Sequence, residues 1–364
     1  MTSSADLTEM GLRTRATPLL HAFRERLPFP HEMKDIQEHL GVEIATTVFS
    51  MALETVQPYA PFIRKVRSTS LATSAEMKAK AKNFEVMIVA SNAYQSGRKW
   101  GDHVETWVSW ARSMGFTTDW VPTDSKASVS ENARILSRYL INHPHPNRII
   151  VTYGQGSSEL RTLMLNRLGE RGRTEEARTA LEFEGLRLWL NVCGGVGGIA
   201  ANEIQLRSTM SRLRAVIDMK FRRRNSIVLE ETRTTAANMR RLPNFPADLG
   251  VINVIGLPLR SQLPRGFAAL YHDVSKSGPT DGVLSLFNMI AHPGLIVPIP
   301  AMAHTAPDFK LEPVLKRVLS VFLESASVRA AVAHDSKPLV VNETNRADTN
   351  RSAPVNASGL SLEQ

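Results

Sequence analysis

The chain has 364 residues, of which 43% are hydrophobic and 22% charged, with one cysteine and a formal net charge of 44 − 35 = +9 at pH 7. That apolar content excludes global disorder and suits one large domain with appendages, or two domains. No run approaches the roughly 18 consecutive apolar residues of a membrane-crossing helix, and the opening MTSSADLTEM carries acids where a secretory signal has an apolar core. A lone cysteine, Cys193, excludes an internal disulfide and a cysteine-rich zinc site, and fits a reducing cytoplasm.

Residues 1 to about 16 read as polar and mobile. From about 17 to 83 the chain reads helical, through HEMKDIQEHL, VEIATTVFSMALETV and TSAEMKAKAKNF, with no chemistry of its own. Residues 1–83 are therefore an expected N-terminal helical extension. From Phe84 strands and helices alternate. FEVMIVAS is a short apolar run, read as a buried strand. Asp102 with Glu105 marks a helix start, and apolar residues follow at helical spacing up to Gly115. TTDWVP is the next strand, Ser128 and Glu131 form a second capping box, and RIIVTY is another strand. It runs through GQGSS into the helix SELRTLMLNRL. LRLWLNV, VINVIGL and LIVPIP are further strands, and LEPVLKRVLSVFLES is a closing helix with Pro313 near its start. The tail, about 331–364, is polar and without periodicity, and is expected to be disordered.

Strands alternating with helices imply parallel pairing in a three-layer α/β sandwich. Sites in such sheets lie at the carboxyl ends of the strands. Attention therefore falls on Ser91-Asn92, on Gly154 to Ser158, on Cys193 to Gly198, and on the segments after the last two strands.

The sharp strand–turn–helix at 148–166 has the shape of a nucleophile elbow. Thr152-Tyr153-Gly154-Gln155-Gly156 resembles the Gly-x-Ser-x-Gly elbow of the α/β-hydrolase family, in its Gly-Tyr-Ser-Gln-Gly variant. Tyr153, Gln155 and Gly156 match. Thr152 replaces the first glycine, and Gly154 stands where the nucleophilic serine belongs, so no acyl-enzyme can form on residue 154. Ser157 and Ser158, in the first turn of the next helix, are candidates for a relocated nucleophile or for a helix cap. The resemblance implies an acid after a late strand and a histidine after the last one. Asp281, in GPTDGVLSLF, and His304, in AMAHTAPDF, stand in that order, 304 − 281 = 23 residues apart. A carboxylate bonded to one imidazole nitrogen makes the other nitrogen a base; Asp273 competes for the acid's role. The oxyanion donors implied are Gln155 and Asn92. The fold implied is an α/β-hydrolase-like sandwich over 84–330, with the N-terminal helical extension and a helical lid insertion at about 200–249.

Two functions follow. One is esterase- or lipase-like hydrolysis or transfer of an acyl ester, with a degenerate elbow, no cofactor and no metal. It uses either a relocated nucleophile or water activated by His304. The other is a hydrolase-fold protein that binds a ligand or protein partner without catalysis. The basic stretch Arg207, Arg212, Arg214, Lys220, Arg222, Arg223 and Arg224, opposed only by Asp218, is either a solvated helix face or a docking surface for an acidic partner or membrane. It carries no nucleic-acid-binding signature. A nucleotide-cofactor oxidoreductase is a distant alternative. Gly195 to Ala200 fits Gly-x-Gly-x-x-Ala, but no strand ending in an acid follows about 20 residues later. His143 and His145 could hold a metal only with ligands from elsewhere.

Overall fold

The structure is a computed structural model that describes residues 9–90, 102–124, 127–169, 181–196, 243–246, 248–263, 268–290, 293–304 and 308–324. The expected lid, apart from a few residues before 250, and the basic stretch at 207–224 lie outside these. So do Ser91, Asn92 and the tail.

Six strands form one sheet: β1 (Glu85–Val89), β2 (Thr117–Trp120), β3 (Arg148–Tyr153), β4 (Leu186–Val192), β5 (Gly250–Leu257) and β6 (Leu295–Pro300). Their order is β2-β1-β3-β4-β5-β6 and every pairing is parallel. Val, Ile and Leu dominate because both faces are covered by helices, as a parallel sheet requires. The fold is the three-layer α/β sandwich with a parallel sheet that the alternation of elements implies.

The chain winds outward from β1 to β2 and then returns to the far side of β1 to lay down β3. The order of strand addition thus reverses between β1 and β3, the place where sheets of this kind form a binding crevice at the carboxyl ends. Alternate residues sort to opposite faces. Val86, Ile88, Ile149, Val151, Leu190 and Val254 meet the helices α4 (Tyr59–Ser68), α5 (Ala75–Ala81), α6 (Asp102–Ser113) and, at the chain's end, Asp308–Glu324. Met87, Val89, Ile150 and Trp189 meet α7 (Val129–Asn142) and α8 (Gly156–Leu168). Among the described residues, no helix is long and apolar enough to cross a membrane.

The N-terminal helices α1 (Glu9–Ala16), α2 (Pro30–Leu40) and α3 (Val42–Leu53) lie at the β5–β6 side of the sheet. Their Leu12, Met33, Ile44 and Phe49 pack with Ile255, Leu257 and Ile296 of the sheet and with Leu284, Leu286 and Met289. The ring of Phe49 meets Phe287 edge-on at 6.4 Å. The extension therefore braces the loop that carries Asp281. Two boundaries differ from those expected, and that of α6 agrees. Residues 9–16 are helical rather than mobile, because Leu12 and Ala16, one turn apart, share a buried face. Helix α6 starts at Asp102 itself. The closing helix starts at Asp308, so Pro313 lies in its second turn. The Ser128–Glu131 box forms as its spacing requires, with Glu131 N donating to Ser128 Oγ at 3.2 Å and Ser128 N to Glu131 Oε2 at 2.8 Å.

At the far end of the sheet from the crevice, Arg148 Nε donates to Glu85 Oε2 at 2.7 Å across the β1–β3 register, with the Arg148 side chain 1% exposed. Removing one partner strands a buried charge. Arg148→Ala is expected to cost about 3–5 kcal/mol, read as a lower urea midpoint; a loss below about 1 kcal/mol would show that water reaches Glu85.

Candidate functional site

The turn after β3 positions the site. Gly154 has φ +54, the left-handed region that costs other residues about 1–2 kcal/mol and that the elbow geometry demands. Gly156 explains the sharpness of the turn. A Cβ there would lie 2.3 Å from the carbonyl oxygen of Val89, so only glycine lets α8 start against the end of β1. Strand β3 and helix α8 are thus joined by a tight turn with no side chain at its apex.

Asp281 and His304 come together beside that apex. Asp281 is fully buried and follows β5, on a tight loop between Thr280 and Ser285. Its Oδ1 accepts from the backbone amides of Val283, at 2.9 Å, and Leu284, at 2.7 Å. Its Oδ2 lies 2.7 Å from His304 Nδ1. The backbones join too, with His304 N donating to Asp281 O at 2.8 Å. A hydrogen bond from Nδ1 to a carboxylate puts the proton of the neutral ring on Nδ1 and leaves Nε2 with a free lone pair. That lone pair faces the elbow. A Cβ built on Gly154 would lie 3.7 Å from His304 Nε2 and 4.0 Å from its Cε1. Three residues far apart in sequence therefore meet: Gly154, Asp281 and His304.

Tyr153 holds the histidine in place. Its ring stacks on the imidazole with centroids 5.4 Å apart at 27°, and its hydroxyl donates to the carbonyl of His304. Trp107 of α6 closes on the other edge of Tyr153 at 5.5 Å. Tyr153 is visible in the sequence as a match to the elbow motif; its contact with His304 is not.

The other candidates lie elsewhere. Ser157 is fully buried: its Oγ donates to Asn191 Oδ1 at 2.6 Å and shares a 2.7 Å hydrogen bond with Thr152 Oγ1. Ser158 Oγ donates to Gly195 O, on the loop after β4. Neither side chain faces His304, and neither caps α8, whose N-cap residue is Gln155 without a side-chain cap. Gln155 follows the apex at the N-terminus of α8, where backbone dipoles favour negative charge. Its expected companion Asn92 lies outside the described residues. Asp273 is 44% exposed and pairs with Lys276 at 2.7 Å, away from His304. His143 stacks on Tyr139 and its Nδ1 meets Tyr139 O at 2.9 Å, while His145 Nδ1 accepts from Asn147 N. Among the described residues no cluster has the makings of a metal site. Of the Gly-x-Gly-x-x-Ala run only Gly195 and Val196 are described, and Gly195 N donates to Gly154 O at 2.9 Å.

Beneath the elbow runs a row of polar side chains that sequence reasoning missed. Thr152, Asn191 and Asn253 face one another in register on β3, β4 and β5, all fully buried. Trp189 Nε1 donates to Thr152 Oγ1 at 2.8 Å. Asn191 Nδ2 donates to Asn253 Oδ1 at 2.8 Å and to Met289 O at 3.0 Å. The Thr152 hydroxyl is thus a link in this row. The available signal was Thr152, Asn191 and Asn253, each a polar residue set among apolar ones near a strand's carboxyl end or middle.

Cys193 follows β4 at φ +41 and is 1% exposed. Burial, and then the negative charge of Asp281, push its thiol well above the ordinary range, so the reactive thiolate is scarce. In the folded protein Cys193 is expected to stay unlabelled by iodoacetamide at mildly alkaline pH and to react once urea unfolds the chain. Labelling of the folded protein at a free-thiol rate would contradict this burial.

No known family profile matches the chain, and no curated protein does. Among solved structures, the crystal structure of a metagenomic carboxyl esterase is similar at 11% identity, covering 66% of this chain and 76% of that one, with a TM-score of 0.46.

Proposed function

We propose that this protein hydrolyses an acyl ester, with His304 as general base, Asp281 as its orienting partner, and water in the role of the absent serine hydroxyl. The observation that carries the reading is His304 Nε2, bonded through Nδ1 to a buried carboxylate and aimed at the vacant apex of the elbow. Nε2 takes a proton from the water as its oxygen bonds to the acyl carbon. The oxyanion is met by the amide of Gln155 at the start of α8, and Asn92 is the proposed second donor. As the intermediate collapses, the bond to the alcohol oxygen breaks and the imidazolium returns its proton to that oxygen. This is a single displacement. It resembles the second half of a serine esterase's cycle, in which a histidine-activated water attacks an ester.

A second reading, binding without catalysis, draws on Gly154 itself, since a glycine removes the covalent route. The two readings part on one variant. His304→Ala leaves the buried Asp281 bonded to two backbone amides and so is expected to fold. Under the hydrolytic reading it lowers kcat/KM for a chromogenic short-chain ester by about 10²–10⁴-fold. Equal rates for the two proteins, or no turnover by either, would favour binding alone.

A further inference from the structure

Residues 59–82 carry six basic side chains, Arg64, Lys65, Arg67, Lys78, Lys80 and Lys82, against one acid, Glu76, a balance of 6 − 1 = +5. All seven are exposed. Helices α4 and α5 bury Phe62, Val66, Met77 and Ala81 in the same core, so they belong to one layer and their polar sides face the same solvent. Neighbouring acids pair with three of the six: Glu324 with Lys65, Glu54 with Arg67 and Glu76 with Lys80. Among the described residues Arg64, Lys78 and Lys82 have no acidic partner. The loop between the two helices carries an apolar tip. Leu71 is 44% exposed, and Ser70 and Ala72 beside it are exposed too. Both ends of that loop are fastened. Arg317 Nε of the closing helix donates to Thr69 O at 3.0 Å, and Ser74 Oγ accepts from Met77 N at 3.1 Å. A Cβ on Gly115, just before β2, would lie 2.9 Å from Lys78 O, which puts α5 at the amino ends of the strands, away from Gly154 and His304.

We infer that this face docks on an anionic lipid surface, with Arg64, Lys78 and Lys82 against phosphate headgroups and Leu71 entering the headgroup layer. Positive charge spread over two helices suits a surface that presents many phosphates. An exposed leucine gains by leaving water where hydrocarbon is at hand, which a lipid layer offers and a nucleic-acid backbone does not. The aromatic rings of the segment, Tyr59 and Phe62, pack into the core, so none is offered to a base for stacking. Each basic residue close to such a surface strengthens binding about 5-fold, and salt screens the attraction. One leucine is too little to hold the protein by itself, so the contact is reversible and salt-sensitive. This surface is independent of the hydrolytic reading, since none of its residues belongs to the site at the carboxyl ends.

The test is co-sedimentation of the unaltered full chain with vesicles of phosphatidylcholine alone and of phosphatidylcholine mixed with phosphatidylglycerol, at low and at physiological salt. The expected result is binding to the mixed vesicles that weakens as salt rises, and none to phosphatidylcholine alone. Arg64→Gln, Lys78→Gln and Lys82→Gln together are expected to weaken binding about 100-fold, and Leu71→Ala about 3-fold or more. All four side chains are exposed, and a circular dichroism spectrum matching the unaltered chain checks that each variant is folded. Vesicle binding that the triple variant leaves unchanged would overturn the assignment and move the contact elsewhere, the basic stretch at 207–224 included. Unchanged binding by Leu71→Ala would overturn its entry into the lipid layer. No vesicle binding by the unaltered chain, with capture of a single-stranded oligonucleotide that the triple variant loses, would give the face to nucleic acid instead. Binding to neither would overturn the docking surface altogether.

Discussion

A carboxylate buried without compensation costs several kcal/mol, and much of the site's arrangement follows from how Asp281 avoids that cost. Two backbone amides of its own loop hold one oxygen, and His304 holds the other. Each bond fixes something else. The amides close the loop after β5, the imidazole ties that loop to the segment after β6, and the bond sets the histidine's tautomer. The N-terminal helices then cover the loop's apolar side through Phe49, Met33 and Leu12. The helical extension is thereby coupled to the site without contributing a residue to its chemistry.

The elbow is held just as firmly by residues that carry no reactive group. Gly156 lets α8 pass against Val89, Gly154 takes the left-handed turn, and Tyr153 stacks on the histidine. Below them the Thr152–Asn191–Asn253 row ties three strands together and reaches Met289, just past the acid loop. Its bonds fix relative positions across the sheet, although Asn253 Nδ2, at the row's end, has no hydrogen-bond partner among the described residues. A Cβ on Gly194 would lie 1.7 Å from Asn191 Oδ1 and 2.1 Å from Ser157 Oγ, so the loop after β4 is pressed directly onto this row. Ser157 belongs to this scaffold, which is why its hydroxyl is unavailable to the base.

Much of this could be read from the residues because it depends on local pattern. Apolar runs of strand length alternate with helical periodicity, and that fixes a parallel sheet with its site at the carboxyl ends. The tight turn between β3 and α8 is readable because Gly154 and Gly156 follow a short strand and leave few other conformations. The Asp281–His304 pair is readable from chain order after the elbow. What could not be read depends on register and on contacts between distant segments. Nothing local says that Thr152, Asn191 and Asn253 fall in one row, or that Ser157 turns down into it. The burial of Leu12 and Ala16 is decided by a surface on the opposite end of the chain, so residues 9–16 looked like a polar terminus.

The central proposal is that His304, oriented by Asp281, activates a hydroxyl that Gly154 itself does not carry. Fluorophosphonate labelling of the wild-type chain and of Gly154→Ser, followed by peptide mass spectrometry, tests it most directly. The geometry predicts no adduct on the wild-type chain. It predicts a stoichiometric adduct on residue 154 in the variant, which disappears when His304→Ala is added. An adduct on Ser157 or Ser158 of the wild type, or a folded Gly154→Ser that stays unlabelled, would contradict it.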